Sequence, residues 1–199
     1  MSLKIIGGRF KNRLLKTPQT TLTKPTMSLM RKSLFDIVQA DIEEAKFLDV
    51  FACSGAIGLE AISRGAASAI FIDIDRKAVR CIEENIKLLG VTDQCTVICS
   101  DALVALKALE KQKATFSLVY LDPPYIHADK KQCSPQVLLD FFDSSSLLEP
   151  GAKLFIEEGG AASFAPEAIQ LKNLFHKNSR KFSSSLLHQF ERLDAPLLT

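Results

Sequence analysis

Residues 47–66 read FLDVFACSGAIGLEAISRGA: an apolar run, a turn of small residues and a stretch with helical spacing. This order predicts a strand that passes through a tight turn into a helix. Such a turn lets a ligand approach the backbone near a helix N-terminus. The spacing of Ser54, Gly55 and Gly58 is weak evidence by itself, because strand–helix turns also use glycine where no ligand binds.

The same alternation continues on both sides of this stretch. The apolar runs KFLDVF, SAIFID, CTVIC, FSLVYL and AKLFIEE are separated by segments with helical spacing. This pattern predicts an α/β domain with a parallel sheet covered by helices on both faces. We predict that the segment starting at Ser134 is a helix ending at Pro150-Gly151. The runs AIQLKNLFHKNSR and SSLLHQFERL are predicted to form an antiparallel hairpin that closes the sheet.

The N-terminal 32 residues are basic. They contain eight Lys and Arg and no acid, whereas the other 17 Lys and Arg accompany all 23 Asp and Glu. This asymmetry is typical of a protein with a polyanionic partner. Apolar residues alternate with cations in LKIIGGRF and RLLKT, which predicts a hairpin turning near Lys11-Asn12. A loop, TLTKPT, and a helix from Met27 follow. We therefore predict a basic appendage over residues 1–45 and one α/β domain over 46–199.

Composition narrows the class of protein. The chain has 199 residues, of which 47% are hydrophobic and 24% charged, as expected for a soluble globular domain. We find no apolar run of the ~20 residues that a membrane span needs, and no signal-peptide pattern. The five cysteines form no CxxC pair and the three histidines are far apart, so we expect reduced thiols, no zinc site and a cytoplasmic location.

The end of the second predicted strand adds to the case for a ligand. Asp73 follows Gly55 by eighteen residues, and an acid about 20 residues past a glycine turn commonly holds ribose hydroxyls. A dinucleotide is one candidate, but the turn lacks G-x-G-x-x-G and Asp49 would repel phosphates. S-adenosylmethionine fits better, because it has a ribose, an ammonium group and no phosphate. Asp101, after the third strand, either accepts a hydrogen bond from the adenine amino group or caps the helix that follows.

The fourth predicted strand ends in LDPPY, residues 121–125. Carboxyl ends of neighbouring parallel strands meet at one edge of the sheet, so this corner is expected beside the turn at Gly55. The prolines fix φ and leave stiffly held carbonyls. Asp122 and the Pro123 carbonyl could accept both hydrogens of a nucleobase amine and make it a better nucleophile, while Tyr125 stacks on the base.

These motifs together resemble a class I S-adenosylmethionine-dependent methyltransferase with the D/N-P-P-Y/F motif of amino-methylating enzymes. More closely, the chain is similar to the bacterial 16S rRNA guanine-N2 methyltransferase family, the RsmD type. The segments that carry the similarity are KIIGGRFKNRLLKTP, KPTMSLMRKSLFDIV, FLDVFACSGAIGLEAISRGA, FIDIDRKAV, LVYLDPPY and LEPGAKLFIEE. LDPPY alone fits many amino-methyltransferases, whereas the N-terminal hairpin together with F-x-x-S-G-x-x-G-x-E-A-x-S-R-G-A is much more specific.

The resemblance implies a Rossmann-like seven-stranded sheet preceded by an RNA-binding hairpin, with S-adenosylmethionine as cofactor. It also implies methylation of a guanine N2 in 16S rRNA of the small ribosomal subunit, by a monomer. The implied cofactor-binding residues are Asp49, Phe51, Ser54, Gly55, Asp73, Ile74, Asp101 and Ala102. The implied amine site is Asp122, Pro123, Pro124 and Tyr125. The residues implied to face RNA or to support the site are Arg9, Lys11, Arg13 and Arg31.

The chain departs from the family pattern at four positions, and other functions remain open. Cys53 replaces a glycine of the turn, Asp73 replaces Glu, Lys24 replaces Arg and Lys32 replaces Glu. One alternative is another DNA or RNA amino-methyltransferase, for example at adenine N6. A second is an RNA-binding assembly factor without catalysis, which Cys53 favours. A small-molecule methyltransferase is the weakest, because it needs neither the basic arm nor the stiff corner.

Overall fold

The computed structural model describes residues 3–18, 25–124, 133–159, 164–183 and 185–194. Lys24 and Tyr125 therefore lie outside the described residues. The described residues form five α-helices and seven strands. In chain order these are α1 Pro25–Ile37, β1 Lys46–Val50, α2 Ala56–Ser63, β2 Ser68–Asp73, α3 Arg76–Leu89, β3 Cys95–Cys99, α4 Ala102–Lys111, β4 Phe116–Leu121, α5 Pro135–Ser144, β5 Leu148–Gly159, β6 Leu174–Phe182 and β7 Ser185–Arg192.

The strands form one sheet in the order β3-β2-β1-β4-β5-β7-β6. β1 to β5 are parallel to one another, and β7 is antiparallel to both β5 and β6. The predicted α/β alternation and the closing hairpin are both confirmed. The strand order reverses between β1 and β4, so the turns that follow these two strands lie side by side. We call that end of the parallel strands the carboxyl edge and the opposite end the amino edge.

α1 begins two residues earlier than we predicted. It starts at Pro25 rather than Met27, so the end of the predicted loop TLTKPT is helical. Proline suits the first helical position because its fixed φ matches the helix and no N–H donor is needed there.

The predicted helix up to Pro150-Gly151 was wrong in its second half. α5 ends at Ser144, and β5 already begins at Leu148. The register between β4 and β5 shifts, because Phe116 pairs with Leu148 whereas Leu118 pairs with Lys153. Gly151 has a φ of 71°, which glycine adopts easily. The Pro-Gly pair therefore bends a strand instead of ending a helix.

The N-terminal segment folds back on itself as predicted, with less strand than predicted. One antiparallel bridge joins Lys4 and Leu14. Backbone bonds from Ile5 N to Arg13 O (3.0 Å) and from Leu15 N to Leu3 O (2.9 Å) flank that bridge. Residues 7–12 form turns and bends, so only the ends of the hairpin pair.

Two apolar clusters cover the sheet. One packs under α1, α2 and α3, and the other under α4 and α5. Ile5 and Leu15 of the N-terminal segment are buried in the first cluster, so that segment shares a core with the sheet. The domain boundary near residue 45 stays a prediction. No helix within the described ranges is long and apolar enough to cross a membrane.

Candidate active site

The turn after β1 is held by backbone contacts to the end of β2. Phe51 and Cys53 have positive φ values of 65° and 52°, and Gly55 has a φ of 74°. Left-handed backbone costs about 1–2 kcal/mol at a residue with a side chain. The Cys53 N–H donates to Oδ2 of Asp73 (2.8 Å), and the Phe51 N–H donates to the Ile72 carbonyl (2.9 Å). These contacts accommodate Cys53 where the family pattern has glycine.

Gly58 brings α2 close to the sheet and to Asp49. A Cβ atom at this position would lie 2.3 Å from Cε1 of Phe71, so only glycine fits. The Gly58 N–H donates to Oδ2 of Asp49 (2.9 Å). Asp49 is 2% exposed, and burial raises the pKa of its carboxyl to about 8. The ionised form of such an acid is stabilised by a cationic ligand.

The ends of β2 and β3 place the remaining predicted cofactor residues at the same edge. Asp73 is partly exposed, and the Ile74 side chain that follows it is 69% exposed although apolar. Oδ1 of Asp101 accepts a hydrogen bond from the Val104 N–H (3.2 Å) and caps α4. Ala102 is buried behind it. The capping role of Asp101 is therefore formed, and its contact with adenine stays a prediction.

The LDPP corner lies beside the turn after β1, as expected. The Asp122 N–H donates to the Val50 carbonyl (3.3 Å) at the end of β1. Pro123 is buried and Pro124 is exposed. Tyr125 lies outside the described residues, so its stacking role stays a prediction.

Three carboxyl groups meet at this edge: the buried Asp49 at the end of β1, the half-buried Asp122 after β4 and the buried Glu157 in β5. Burial raises the pKa of the Asp122 carboxyl, and the carboxyls of Glu157 and Asp49 raise it further. The Tyr120 hydroxyl donates a hydrogen bond to Glu157. Among the described residues, no Lys, Arg or His forms a salt bridge with any of the three. The described part of the chain also holds no group of three or more potential ligands arranged for a metal ion.

Glu60 of α2 attaches the N-terminal segment to the sheet domain. Its carboxylate accepts hydrogen bonds from the Ile6 N–H and the Gly7 N–H, both at 2.7 Å, and from Arg64 Nε at 2.8 Å. Glu60 is completely buried. Its charge is therefore compensated by the N-terminal segment and by Arg64.

Arg31 does not face solvent, which corrects the expectation that it could contact RNA. The residue is 4% exposed, and its guanidinium donates to the Lys4 carbonyl (2.6 Å). Its Nε lies 3.9 Å from Oε2 of Glu60, and burial lowers the pKa of the guanidinium. The other expected role of Arg31, which is to support the site, stays a prediction.

Arg9, Lys11 and Arg13 are exposed, as contact with RNA requires. All three lie on or beside the turn of the N-terminal segment, which packs against the C-terminal end of α2. There the Arg9 N–H donates to the Ser63 carbonyl (2.7 Å), and the Arg9 side chain donates to Gln94. This turn is therefore at the amino edge, away from Asp122.

The other end of the segment reaches the carboxyl edge through Asn85. Oδ1 of Asn85 accepts from the Lys16 N–H (2.8 Å), and Nδ2 donates to the carbonyls of Lys16 and Ser54, both at 3.0 Å. Ser54 belongs to the turn after β1. The segment thus runs along α2, whose eight residues span roughly 12 Å, from one edge of the sheet to the other.

A cleft of about 550 Å³ opens at the amino edge, between the N-terminal turn and the loop before β2. Arg9, Arg64, Glu43 and Glu44 line it, so both signs of charge are present. It lies away from all of the predicted cofactor and amine residues.

Comparison with known proteins identifies the family. Residues 3–188 match the family model described as Conserved hypothetical protein 95. The chain belongs to this family. The resemblance found in the sequence is confirmed, because relatives of the chain carry rRNA methyltransferase names.

One relative, from Bacillus subtilis, is named "Putative rRNA methyltransferase YlbH" and is 36% identical over 147 residues, which are 74% of this chain and 77% of the relative. "Ribosomal RNA small subunit methyltransferase D" of Escherichia coli K12 is 37% identical over 124 residues. That match covers 62% of this chain and 60% of the relative. The solved structure of methyltransferase yhhF from Escherichia coli, titled putative, has a TM-score of 0.80 at 24% identity and covers 98% of this chain and 100% of its own. The expected class I methyltransferase fold is confirmed.

Sequence reasoning missed several residues in this family member: Glu60, Asn85, Tyr120 and Glu157. Glu60 lies within G-x-E-A-x-S-R-G-A, which we treated as a motif without assigning the acid a partner. Tyr120 lies two residues before Asp122, and Glu157 lies two residues after Phe155. The two apolar runs that contain them pair in parallel. A polar residue on the core side of a predicted strand is a signal that could have indicated both.

Proposed function

We propose that this protein transfers a methyl group from S-adenosylmethionine to the exocyclic N2 amine of a guanine in 16S rRNA. The observation that carries the proposal is the group of three carboxyls, the buried Asp49 and Glu157 and the half-buried Asp122, at the edge that holds the LDPP corner. S-adenosylmethionine has an ammonium group, a sulfonium and no phosphate, so it suits acids that form no salt bridge with the described residues. The names of the relatives support rRNA of the small ribosomal subunit as substrate.

The turn after β1 and the ends of β2 and β3 would hold the cofactor. S-adenosylmethionine supplies a methyl group that its sulfonium activates. Asp49 is proposed to provide negative charge beneath the turn when the cationic cofactor is bound, and Asp73 is proposed to accept hydrogen bonds from ribose hydroxyls. The exposed Ile74 offers an apolar surface to adenine. The other residues proposed to line this site are Phe51, Ser54, Gly55, Asp101 and Ala102.

Asp122 and the Pro123 carbonyl are proposed to accept the two hydrogens of the guanine amine. An aromatic amine is a poor nucleophile because its lone pair is delocalised into the ring. Two acceptors favour a pyramidal nitrogen whose lone pair points away from the ring. The prolines fix φ before substrate binds, so much of the rate enhancement comes from positioning. Tyr125 is proposed to stack on the base.

Arg9, Lys11 and Arg13 are proposed to contact rRNA phosphates. Because they lie near the amino edge and the reacting amine near the carboxyl edge, the rRNA would run along α2, across at least roughly 12 Å. Phosphate contacts at such a distance position the RNA without reading its sequence. A monomer is sufficient for this arrangement.

Methyl-labelled S-adenosylmethionine tests the proposal. The protein is incubated with unmodified 16S rRNA, free and in assembled small subunits, and the RNA is digested to identify the labelled nucleoside. We expect label in N2-methylguanosine. Label on the amine of another base would support methylation of an amine but reject guanine N2 as the target. No label with either form, together with no cofactor binding, would favour an RNA-binding assembly factor without catalysis.

A further inference from the structure

Glu157 and Tyr120 form a buried pair directly behind Asp122. In the parallel pairing of β4 with β5, Tyr120 is opposite Phe155 and Leu121 is opposite Ile156. The next positions are Asp122 and Glu157, so their backbones are adjacent at the carboxyl edge. Side chains alternate along a strand, so Tyr120 and Asp122 point to the same face of the sheet.

Glu157 is held in place from two strands. The Tyr120 hydroxyl donates to its Oε2, and Ser185 of β7 forms a second side-chain hydrogen bond with it. Burial raises the pKa of the Glu157 carboxyl, and these two donors partly offset that effect by favouring its ionised form. Met30 of α1 lies over this group, with its Sδ 3.9 Å from the Tyr120 hydroxyl, and Glu157 is 8% exposed.

Within the described ranges, the titratable groups that face Asp122 are two acids and a tyrosine. Asp49 faces it from β1, Glu157 from β5 and Tyr120 from its own strand. Arg31 of α1 donates to the Lys4 carbonyl and interacts electrostatically with Glu60 and Tyr120. In the described part of the chain, the acids closest to Asp122 are thus Glu157 and Asp49, and each of them in its ionised form makes the Asp122 carboxylate more basic.

We propose that Glu157 is a positioning residue that keeps Asp122 basic enough to take up the proton which the target amine loses. This inference rests on the proposed function. The nitrogen lone pair forms the new N–C bond, and the S–C bond breaks with its electron pair left on sulfur. One N–H bond then breaks, its electron pair stays on nitrogen, and the proton passes to the Asp122 carboxylate.

The first test measures Asp122 directly and needs no turnover. Aspartate carboxyl carbons are labelled with ¹³C, and the Asp122 signal is assigned by its loss in Asp122→Asn. The signal is titrated with pH in the wild-type protein, in Glu157→Gln and in Glu149→Gln. Glutamine is isosteric and its carbonyl can still accept from Tyr120, so Glu157→Gln is expected to fold. Glu149 is a matched control, since it lies in the same strand but pairs with Lys46 away from the carboxyl edge.

We expect the Asp122 midpoint to move to lower pH in Glu157→Gln and to stay unchanged in Glu149→Gln. An unchanged midpoint in Glu157→Gln overturns the inference whether or not the protein methylates RNA. Absence of methyl transfer by the wild-type protein overturns the proposed function. The titration would still report whether Glu157 affects the protonation of Asp122.

The second test follows kcat against pH with 16S rRNA. We expect kcat of Glu157→Gln to fall about tenfold or more at its plateau, and the acid limb of the profile to move to lower pH. Cofactor affinity, measured by calorimetry, should stay within about twofold of the wild-type value. An equal loss of kcat at every pH, or an unaltered dependence of kcat on pH, would show a structural role for Glu157 and overturn the inference.

Discussion

The face of the sheet under α1, α2 and α3 buries several charged and polar groups, whereas the face under α4 and α5 buries mainly apolar side chains, with Asp143 as a buried acid. Asp49, Arg31, Glu60, Asn85 and Glu157 are all buried on the first face. The second face packs leucine, valine, isoleucine, alanine and phenylalanine side chains. Burying a charge is costly unless it has a partner. The difference indicates that the polar groups of the first face do more than stabilise the fold. They attach the N-terminal segment and form the proposed cofactor and amine sites.

Asp143 shows what a purely structural buried acid looks like. It lies on α5, and its oxygens accept from the backbone N–H groups of Lys172, Asn173 and Leu174 at 2.8–2.9 Å. Asp122 has no comparable set of donors in the described part of the chain, and its neighbours are acids. The hydrogen-bond acceptors of Asp143 are thus used within the fold, whereas Asp122 is proposed to use its acceptors on a ligand.

The largest expected effect tests the attachment by Glu60. Glu60→Ala leaves the Ile6 and Gly7 N–H groups without an acceptor and Arg31 without a nearby charge. We expect a loss of about 3–5 kcal/mol in the free energy of unfolding, measured by urea denaturation. The exposed Glu83→Ala on α3 should change it by less than about 0.5 kcal/mol. A loss below about 1 kcal/mol for Glu60→Ala would contradict this account.

The second prediction contrasts the two aspartates. Asp122→Asn should reduce methyl transfer by more than about 100-fold, because the acceptor and the base are lost. Cofactor affinity and stability should change little. Asp143→Asn should instead cost about 1–3 kcal/mol of unfolding free energy, because an amide cannot accept three N–H bonds. Initial rates and urea unfolding of both variants check this, and normal turnover by Asp122→Asn would refute the proposed amine site.

The third prediction concerns the pH dependence of stability. The Asp49 carboxyl has a pKa raised to about 8 in the folded chain, compared with about 3.9 when unfolded. Between these values the folded state retains a proton that the unfolded state has released, so stability falls as pH rises from about 4 to about 8. We expect Asp49→Asn to weaken this fall, and the exposed Asp93→Asn to leave it unchanged. The midpoints of urea unfolding of the wild-type protein and both variants, measured at pH 5 and pH 8, check this prediction.

The smallest effect is expected on RNA binding through the amino edge. Replacing Arg9, Lys11 and Arg13 by alanine should weaken binding and reduce the slope of log K against log salt by about 2. Replacing three exposed lysines of the opposite face, Lys107, Lys111 and Lys172, should leave the slope unchanged. Filter binding across salt concentrations measures the slope for both variants. An unaltered slope in the first variant would show that the N-terminal turn does not contact RNA.

Much of the fold could be predicted from local pattern. Five parallel strands and the closing hairpin follow from short apolar runs separated by helical spacing and turns. The error between Ser144 and Leu148 came from Pro150-Gly151, which ends helices in many sequences but here bends a strand. The turn at Gly55 and the corner at Asp122 could be placed at one edge, because the carboxyl ends of parallel strands always meet there.

The amino-acid sequence by itself determined the α/β class, the tight turn, the acids that follow the strands and the basic N-terminal segment, because each depends on residues close together along the chain. Only the tertiary structure decided which of these residues share a contact. Ile6 and Glu60 are 54 positions apart, Lys16 and Asn85 are 69 apart, and Tyr120 and Glu157 are 37 apart. Such partners are selected by strand order and by the face on which each side chain emerges, and burial then determines that Arg31 supports the N-terminal segment rather than facing solvent.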